Sequence, residues 1–359
     1  MKLGLYYRDI NTHVGDSFDV RSILKGLSEE NQVIVFCSKK NHHKFIHPNI
    51  TYYQSKSTLK LLIDIFKKRN EIEYFNMFCG LIYTLPFVAL LLKLIGIKYV
   101  YYPFGQLMPL AMKKKGSAFK KKIYLNLLLK PLLNNAWRII ANSKYEKKVI
   151  EKLVMSSNII IAPLSIQGYE LKKIESLAKK EYYTYIGRLD IWHKGLDIML
   201  EAISLNKNLF YDNKVTVMMA GRGKPVEIES IQSLINRFDL NEIVILKSNI
   251  SDEEKIEILN KSFFFIHPSR VEGFARSMRE AIHLEIPLIT TYDSNVGDYI
   301  ADFKCGYSSD FSVSSIANAI QNSFLNIKDL SVFDFKPLKE KLTWSKTTNI
   351  ILKEFVQFK

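Results

Sequence analysis

Residues 263–291 read FFFIHPSRVEGFARSMREAIHLEIPLITT, and the rest of the chain is organised around them. Phe263 to Ile266 is a short aromatic and aliphatic run that reads as a buried strand. His267-Pro268-Ser269 stops it, and Arg270 to Ala275 form a loop containing Gly273. From Arg276 to Leu284 the apolar residues Met278, Ala281, Ile282 and Leu284 fall at helical spacing. Pro287 ends that helix, and Leu288 to Thr291 reads as the next strand. A strand, loop, helix and strand in this order form one unit of a parallel sheet, so the fold class is α/β.

Two carboxylates frame the unit, Glu272 in the loop and Glu280 about one turn into the helix. The loop brings the backbone N–H groups of Gly273, Phe274 and Ala275 to the positive end of the helix, where a phosphate can dock. Glu280 is then placed to accept hydrogen bonds from a diol such as a ribose, and Glu272 from sugar hydroxyls. Alone, such a pair reads more simply as a loop acid and an acid suited to a helix N-terminus. Companions elsewhere in the chain decide between the two.

The first companion is YYTYIGRLDIWHKGLDIML, residues 182–200. A strand ends at Gly187-Arg188-Leu189, a loop carries His193-Lys194-Gly195, and a helix begins near Leu196. Arg188 and Lys194 offer a planar fork and a point charge, which together suit a diphosphate. The second companion is the strand Lys214 to Ala220, which runs into Gly221-Arg222-Gly223.

These phrases together resemble the retaining GT-B glycosyltransferases of the family-4 type, the glycosyl transferases group 1. The matching positions are Pro268-Ser269, Glu272-Gly273-Phe274-Ala275, Glu280-Ala281, Pro287 and the Gly187-Arg188-Leu189 to Lys194-Gly195 segment. The resemblance implies two Rossmann-like domains facing across a cleft, with a nucleotide-sugar donor, UDP- or GDP-linked, held mainly by the second. Arg188 and Lys194 would clamp its diphosphate, Gly187 and Gly221 would line the nucleotide, and Gly15 in the first strand–helix loop would lie near the phosphates. Arg188, Lys194 and Glu272 are the residues expected to carry catalysis, without a cofactor or a bound metal. Ala275 stands where the family usually has Gly, which is tolerable if its φ is negative. Phe104 stands where it often has His; a phenyl ring cannot donate to a sugar hydroxyl, so that contact is expected from backbone amides near Gly105.

Outside these motifs the chain is informative mainly through charge. It has 359 residues, 47% of them hydrophobic, enough for two domains with cores. Its three cysteines suggest neither a disulfide frame nor a zinc site, its histidines show no metal-ligand spacing, and the N-terminus lacks the pattern of a signal peptide. Residues 1–180 carry 30 Lys+Arg against 12 Asp+Glu, whereas the remainder carries 21 against 24. An anionic ligand or surface is therefore expected on the first half. The densest run is Lys113, Lys114, Lys115, Lys120, Lys121 and Lys122, followed by apolar residues at helical spacing from Ile123 to Leu133. With Phe104 and Gly105 it forms the expected acceptor or membrane face. No aromatic stacking platform is interleaved with base-reading groups, so nucleic acid is not an expected partner. The apolar stretch Leu81 to Ile95 is shorter than the ~20 residues that span a bilayer and is expected to be a core-facing helix.

The expected domains are 1–165, with 342–359 crossing back onto it, and 166–341. Transfer of a sugar to a glycan or polyprenyl-diphosphate-linked saccharide follows from the resemblance, in surface polysaccharide synthesis on the inner face of the cell membrane. A non-catalytic nucleotide-sugar or membrane-binding partner, or a GT-B sugar-nucleotide epimerase, remains the alternative.

Overall fold

The computed structural model describes residues 1–10, 15–38, 47–78, 83–112, 123–154, 158–168, 171 and 179–357. The chain divides into two compact units, residues 1–164 with 344–359, and residues 165–343. Both are parallel α/β sheets.

The first unit runs β1 (Lys2–Tyr6), α1 (Gly15–Ser28), β2 (Gln32–Cys37), β3 (Ile50–Gln54), α2 (Thr58–Lys67), β4 (Tyr74–Phe78), α3 (Leu85–Leu94) and β5 (Lys98–Tyr102). It continues through α4 (Pro109–Met112), a π-helical run Tyr124–Leu129, α5 (Lys130–Asn134), β6 (Arg138–Ala141), α6 (Lys144–Glu151) and β7 (Ile159–Ile161). The strand order is β3-β2-β1-β4-β5-β6-β7. Every residue of β4 is buried, as expected of a strand covered by helices on both faces.

In the second unit come β8 (Tyr182–Ile186), α7 (Ile191–Lys194), α8 (Leu196–Ser204), α9 (Lys207–Asp212), β9 (Thr216–Gly221), α10 (Pro225–Arg237) and β10 (Val244–Ser248). They are followed by α11 (Asp252–Asn260), β11 (Ser262–His267), α12 (Arg276–His283), β12 (Leu288–Thr291), α13 (Gly297–Asp302), β13 (Gly306–Ser309), α14 (Val313–Ser323) and α15 (Lys336–Lys341). The sheet order is β10-β9-β8-β11-β12-β13. Successive strands are laid down to one side of β8 and then, from β11, to the other. The crevice at the carboxyl ends of β8 and β11 is thus the topological switch point, where open α/β sheets bind ligands.

The last helix, α16 (Trp344–Gln357), belongs to the first unit. Arg138 Nε donates to Glu354 at 2.8 Å, and the Thr347 hydroxyl donates to the carbonyl of Pro163. A Cβ on Gly26 would lie 2.4 Å from Thr348 Cγ2, so α1 and α16 cross too closely there for any larger residue.

Two expectations are corrected. The apolar helix at 85–94 is only half core-facing: Leu85, Val88, Ala89 and Leu92 are buried, but Phe87, Leu90 and Leu94 are exposed, as is Tyr83 before them. A uniformly apolar sequence hides such an asymmetry, because periodicity needs polar residues to mark the outer face. The expected helix from Ile123 begins as a π-helical run, which propensity does not reveal. The lysine run 113–122 lies outside the described residues. No helix among the described residues is long and apolar enough to cross a membrane.

Candidate functional site

The site is assembled by two loops at the switch point. After β8, the Gly187 N–H donates to the carbonyl of Ala220 at 3.1 Å. A Cβ on Gly221, whose φ is +149°, would lie 1.7 Å from the Gly187 oxygen, so the two turns can be this close only because residue 221 has no side chain. Asp190 then caps α7: its carboxylate accepts from the His193 N–H at 2.9 Å and lies 2.6 Å from the His193 ring. Gly195 closes α7 in the left-handed region at φ +67°, where a Cβ would meet the Pro268 carbonyl at 2.2 Å. That contact places the end of α7 directly against the loop after β11.

The second loop is tied down at several points. The Arg270 and Val271 N–H groups donate to the carbonyl of His193 at 3.0 and 3.3 Å. The Arg270 guanidinium grips both oxygens of Asp197 at 2.7 and 2.8 Å and lies over the Phe311 ring. Asn295 Nδ2 donates to the Glu272 carbonyl at 3.0 Å, and buried Arg279 donates to the Phe274 carbonyl at 2.9 Å. These tethers bring Glu272 onto the ammonium of Lys194, which is itself 7% exposed.

Behind this ion pair stands His267, fully buried, its ring stacked between Tyr185 and Phe265 at centroid distances of 5.4 and 5.9 Å. Its Nε2 is 3.6 Å from Glu272 Oε2, beyond hydrogen-bonding distance, and neither ring nitrogen has a hydrogen-bond partner among the described residues. Burial lowers the imidazole pKa, so the ring is neutral here. For Glu272, burial pushes the carboxyl pKa up. The Lys194 charge outweighs burial and holds it well below the usual carboxylate range.

Glu280 is 2% exposed in α12, and its Oε1 receives both Lys255 Nζ at 3.0 Å and Arg276 Nε at 3.1 Å. Lys255 also lies 3.1 Å from Asp252. At the start of the same helix, the N–H groups of Gly273, Phe274 and Ala275 meet no protein acceptor among the described residues. Ala275 has φ −57°, so its methyl introduces no strain. The structure thus gathers Lys194, Glu272, the amides of residues 273–275 and Glu280 around one helix end. Gly187 and Gly221 line the neighbouring turns. Arg188 is 68% exposed and lies 3.9 Å from Asp190, apart from this cluster. Gly15 opens α1, at the carboxyl end of the first sheet. His267, Lys255, Arg270 and Arg279 were not singled out by the sequence; only the position of Arg270 inside the P-S-R-V-E-G phrase hinted at any of them.

In the first unit, Phe104 and Gly105 differ from expectation. Phe104 is buried, at φ +50°, and packs near the rings of Phe78 and Tyr102. The Gly105 N–H, expected to serve a ligand, donates to Glu146 at 2.6 Å. Asn142 N–H donates to the other Glu146 oxygen at 2.7 Å. Burial pushes the Glu146 carboxyl up to about 7 against the lowering effect of those two bonds. Among the described residues, no group of three or more His, Cys, Asp or Glu is arranged to hold a metal ion.

Comparison with known proteins agrees with this architecture. A sucrose-phosphate synthase from Thermosynechococcus elongatus superposes with TM-score 0.73 at 14% identity, over 99% of this chain and 98% of that one. HepE of Anabaena, crystallised in complex with UDP and glucose, superposes with TM-score 0.70 at 14% identity over the whole of both chains. The chain therefore has the GT-B fold, two Rossmann-like domains of parallel sheet. Residues 169–331 match the family profile described as glycosyl transferases group 1, so the second unit is a domain of that family. An uncharacterised glycosyltransferase of Methanocaldococcus jannaschii is 24% identical over 208 residues, which are 58% of this chain. The match spans about half that relative's length, 54%.

Proposed function

We propose that this chain is a retaining glycosyltransferase that moves a sugar from a nucleotide diphosphate to a glycan or a polyprenyl-diphosphate-linked saccharide. The observation that carries the reading is the meeting of Lys194, Glu272 and the unpartnered amides of residues 273–275 at the switch point of the second sheet. Lys194 and the amides supply positive charge to a leaving diphosphate without requiring a metal. Arg188, free to reorient at the surface, adds a second cation. Glu272 accepts from the donor sugar's hydroxyls and Glu280 from the ribose. UDP is the first nucleotide to test, because HepE was crystallised with it, and GDP the second.

In the reaction the bond from the anomeric carbon to the diphosphate oxygen breaks while the acceptor oxygen bonds to the same face. The acceptor's proton passes to the leaving phosphate. No side chain in the cluster is positioned as a nucleophile, and trapping of a covalent glycosyl-enzyme would refute this route.

The nucleotide reading is tested by thermal unfolding with UDP, GDP, ADP and dTDP. A ligand at a hundred times its dissociation constant stabilises the fold by about 2.7 kcal/mol. One nucleotide should raise the midpoint, and Glu280→Ala should abolish the rise. No response to any of the four would remove the donor site.

The same reading assigns the acceptor to the first unit, peripheral on the inner face of the cell membrane. The exposed Tyr83, Phe87, Leu90 and Leu94 support it, together with the lysine excess of residues 1–180. Binding to vesicles containing anionic lipid at low salt, weakened by Leu90→Ser with Leu94→Ser, is expected. Indifference to such vesicles would exclude the membrane.

A further inference from the structure

His267 is out of place by ordinary rules. A fully buried imidazole normally finds a partner for at least one nitrogen, because a buried polar atom without one has lost its bonds to water with nothing in exchange. Here both nitrogens are unpartnered, the ring is clamped between two aromatic rings, and Nε2 points within 3.6 Å of a carboxylate already occupied by a lysine. Were both ring nitrogens protonated beside Lys194, two cations would share one carboxylate; with Lys194 gone, the doubly protonated ring would become that carboxylate's natural partner.

We propose that the Lys194–Glu272 ion pair is a latch exchanged when the donor diphosphate binds: Lys194 moves to the phosphates, and His267 takes a proton from solvent and replaces it on Glu272. The proposal rests on the reading of Lys194 as a diphosphate ligand. Charge balances throughout. The ammonium that leaves Glu272 neutralises phosphate, and the imidazolium formed at His267 compensates the carboxylate left behind. Without that replacement, Glu272 would be an unpaired and largely buried anion, which is strongly unfavourable. With it, Glu272 stays ionised and one oxygen remains free to accept from sugar hydroxyls, which a protonated carboxyl would do poorly.

The groups that face His267 leave room for this exchange. From α7 comes Lys194, and from the loop after β11 comes Glu272. From β8 comes Tyr185, whose hydroxyl is committed to the Arg188 carbonyl at 2.7 Å. The charges of Glu272, Arg188 and Asp190 are all felt at the Tyr185 hydroxyl, which burial pushes well above its ordinary pKa. From β12, Thr290 donates to the His267 backbone carbonyl at 3.0 Å and leaves the ring alone. Glu272 is the acidic group that faces the ring, 3.6 Å from Nε2, and burial, with a smaller contribution from the Lys194 charge, holds the imidazole pKa down.

The test is calorimetric titration of the intact chain with UDP, or with GDP if that is the nucleotide bound, in buffers of different ionisation enthalpy between pH 7 and 8. Wild type should take up close to one proton per nucleotide, so that affinity falls about tenfold per pH unit as pH rises. The terminal phosphate of the nucleotide titrates in the opposite sense and cannot imitate this. His267→Gln, which keeps a hydrogen-bonding amide but cannot hold the proton, should still bind while its proton uptake and pH slope vanish. Nucleotide bound with no proton uptake in wild type would mean that Lys194 bridges carboxylate and phosphate at once, and would overturn the latch while leaving the donor site standing. No binding of either nucleotide would take down both. If His267→Gln fails to fold, the wild-type stoichiometry decides by itself.

Discussion

Glu272 and Glu146 occupy comparable places, each at the carboxyl end of a parallel sheet and each withdrawn from solvent, yet their chemistry runs in opposite directions. Glu272 meets an ammonium and is held ionised far below its usual range. Glu146 meets two backbone N–H groups, at 2.6 and 2.7 Å, and burial still raises it to about 7. A full opposite charge outweighs desolvation; two amide dipoles do not. The second unit therefore keeps a charged, exchangeable corner suited to binding. The first unit uses its carboxyl to hold the turn around Phe104 and Gly105 and the entry to α6.

The largest expected effect breaks the charged corner. Lys194→Met leaves buried Glu272 with only His267 to pair with, and at a pH too high for that imidazole to take up a proton it should lower the second unit's unfolding free energy by about 3–5 kcal/mol and abolish any nucleotide response. Adding Glu272→Leu should restore most of the stability but none of the binding. Denaturant unfolding of the three variants checks this, and a loss below ~1 kcal/mol for Lys194→Met would show that the pair is solvated.

An intermediate effect sharpens the contrast at Glu146. Because the folded pKa is raised, its stabilising contribution is complete below pH ~4.5 and is lost as pH rises through about 7. Between pH 4.5 and 8, wild type should therefore lose on the order of 3 kcal/mol relative to Glu146→Gln, which does not titrate. Parallel pH profiles for the two proteins would mean that Glu146 is ionised throughout.

The smallest effect is at Glu280, a buried carboxylate with two cations rather than one. Lys255→Ala leaves Arg276 in place, so stability should fall by about 1 kcal/mol and nucleotide affinity by several-fold. A loss as large as that of Lys194→Met would show that Arg276 contributes nothing.

Much of this was legible in advance, and the limits have physical causes. Strands and helices from Tyr182 to Thr291 announced themselves through alternating apolar runs and glycine or proline stops, because parallel strands covered on both faces must be apolar throughout. Lys194, Glu272, Glu280 and the amides of 273–275 could be named because their motifs, each following a strand, resemble those of one family. The four-residue α7 was missed, being set by the Asp190 cap and Gly195 rather than by periodicity. The Gly105 amide looked available because its partner, Glu146, is 41 residues away.

The sequence by itself determined the class of fold, the two sheets and the loops at which chemistry would gather, since these depend on local spacing of apolar residues, glycines and charges. Only the tertiary structure decided which charge meets which: that Lys194 closes on Glu272, that Lys255 joins Arg276 on Glu280, that Arg270 reaches Asp197, and that His267 waits unpartnered behind them. Apart from Arg276 and Glu280, which are one helical turn apart, these ion pairs join residues 25 to 78 positions apart. Their energies depend on burial and on distances of a few ångströms, neither of which is written in any one segment of the chain.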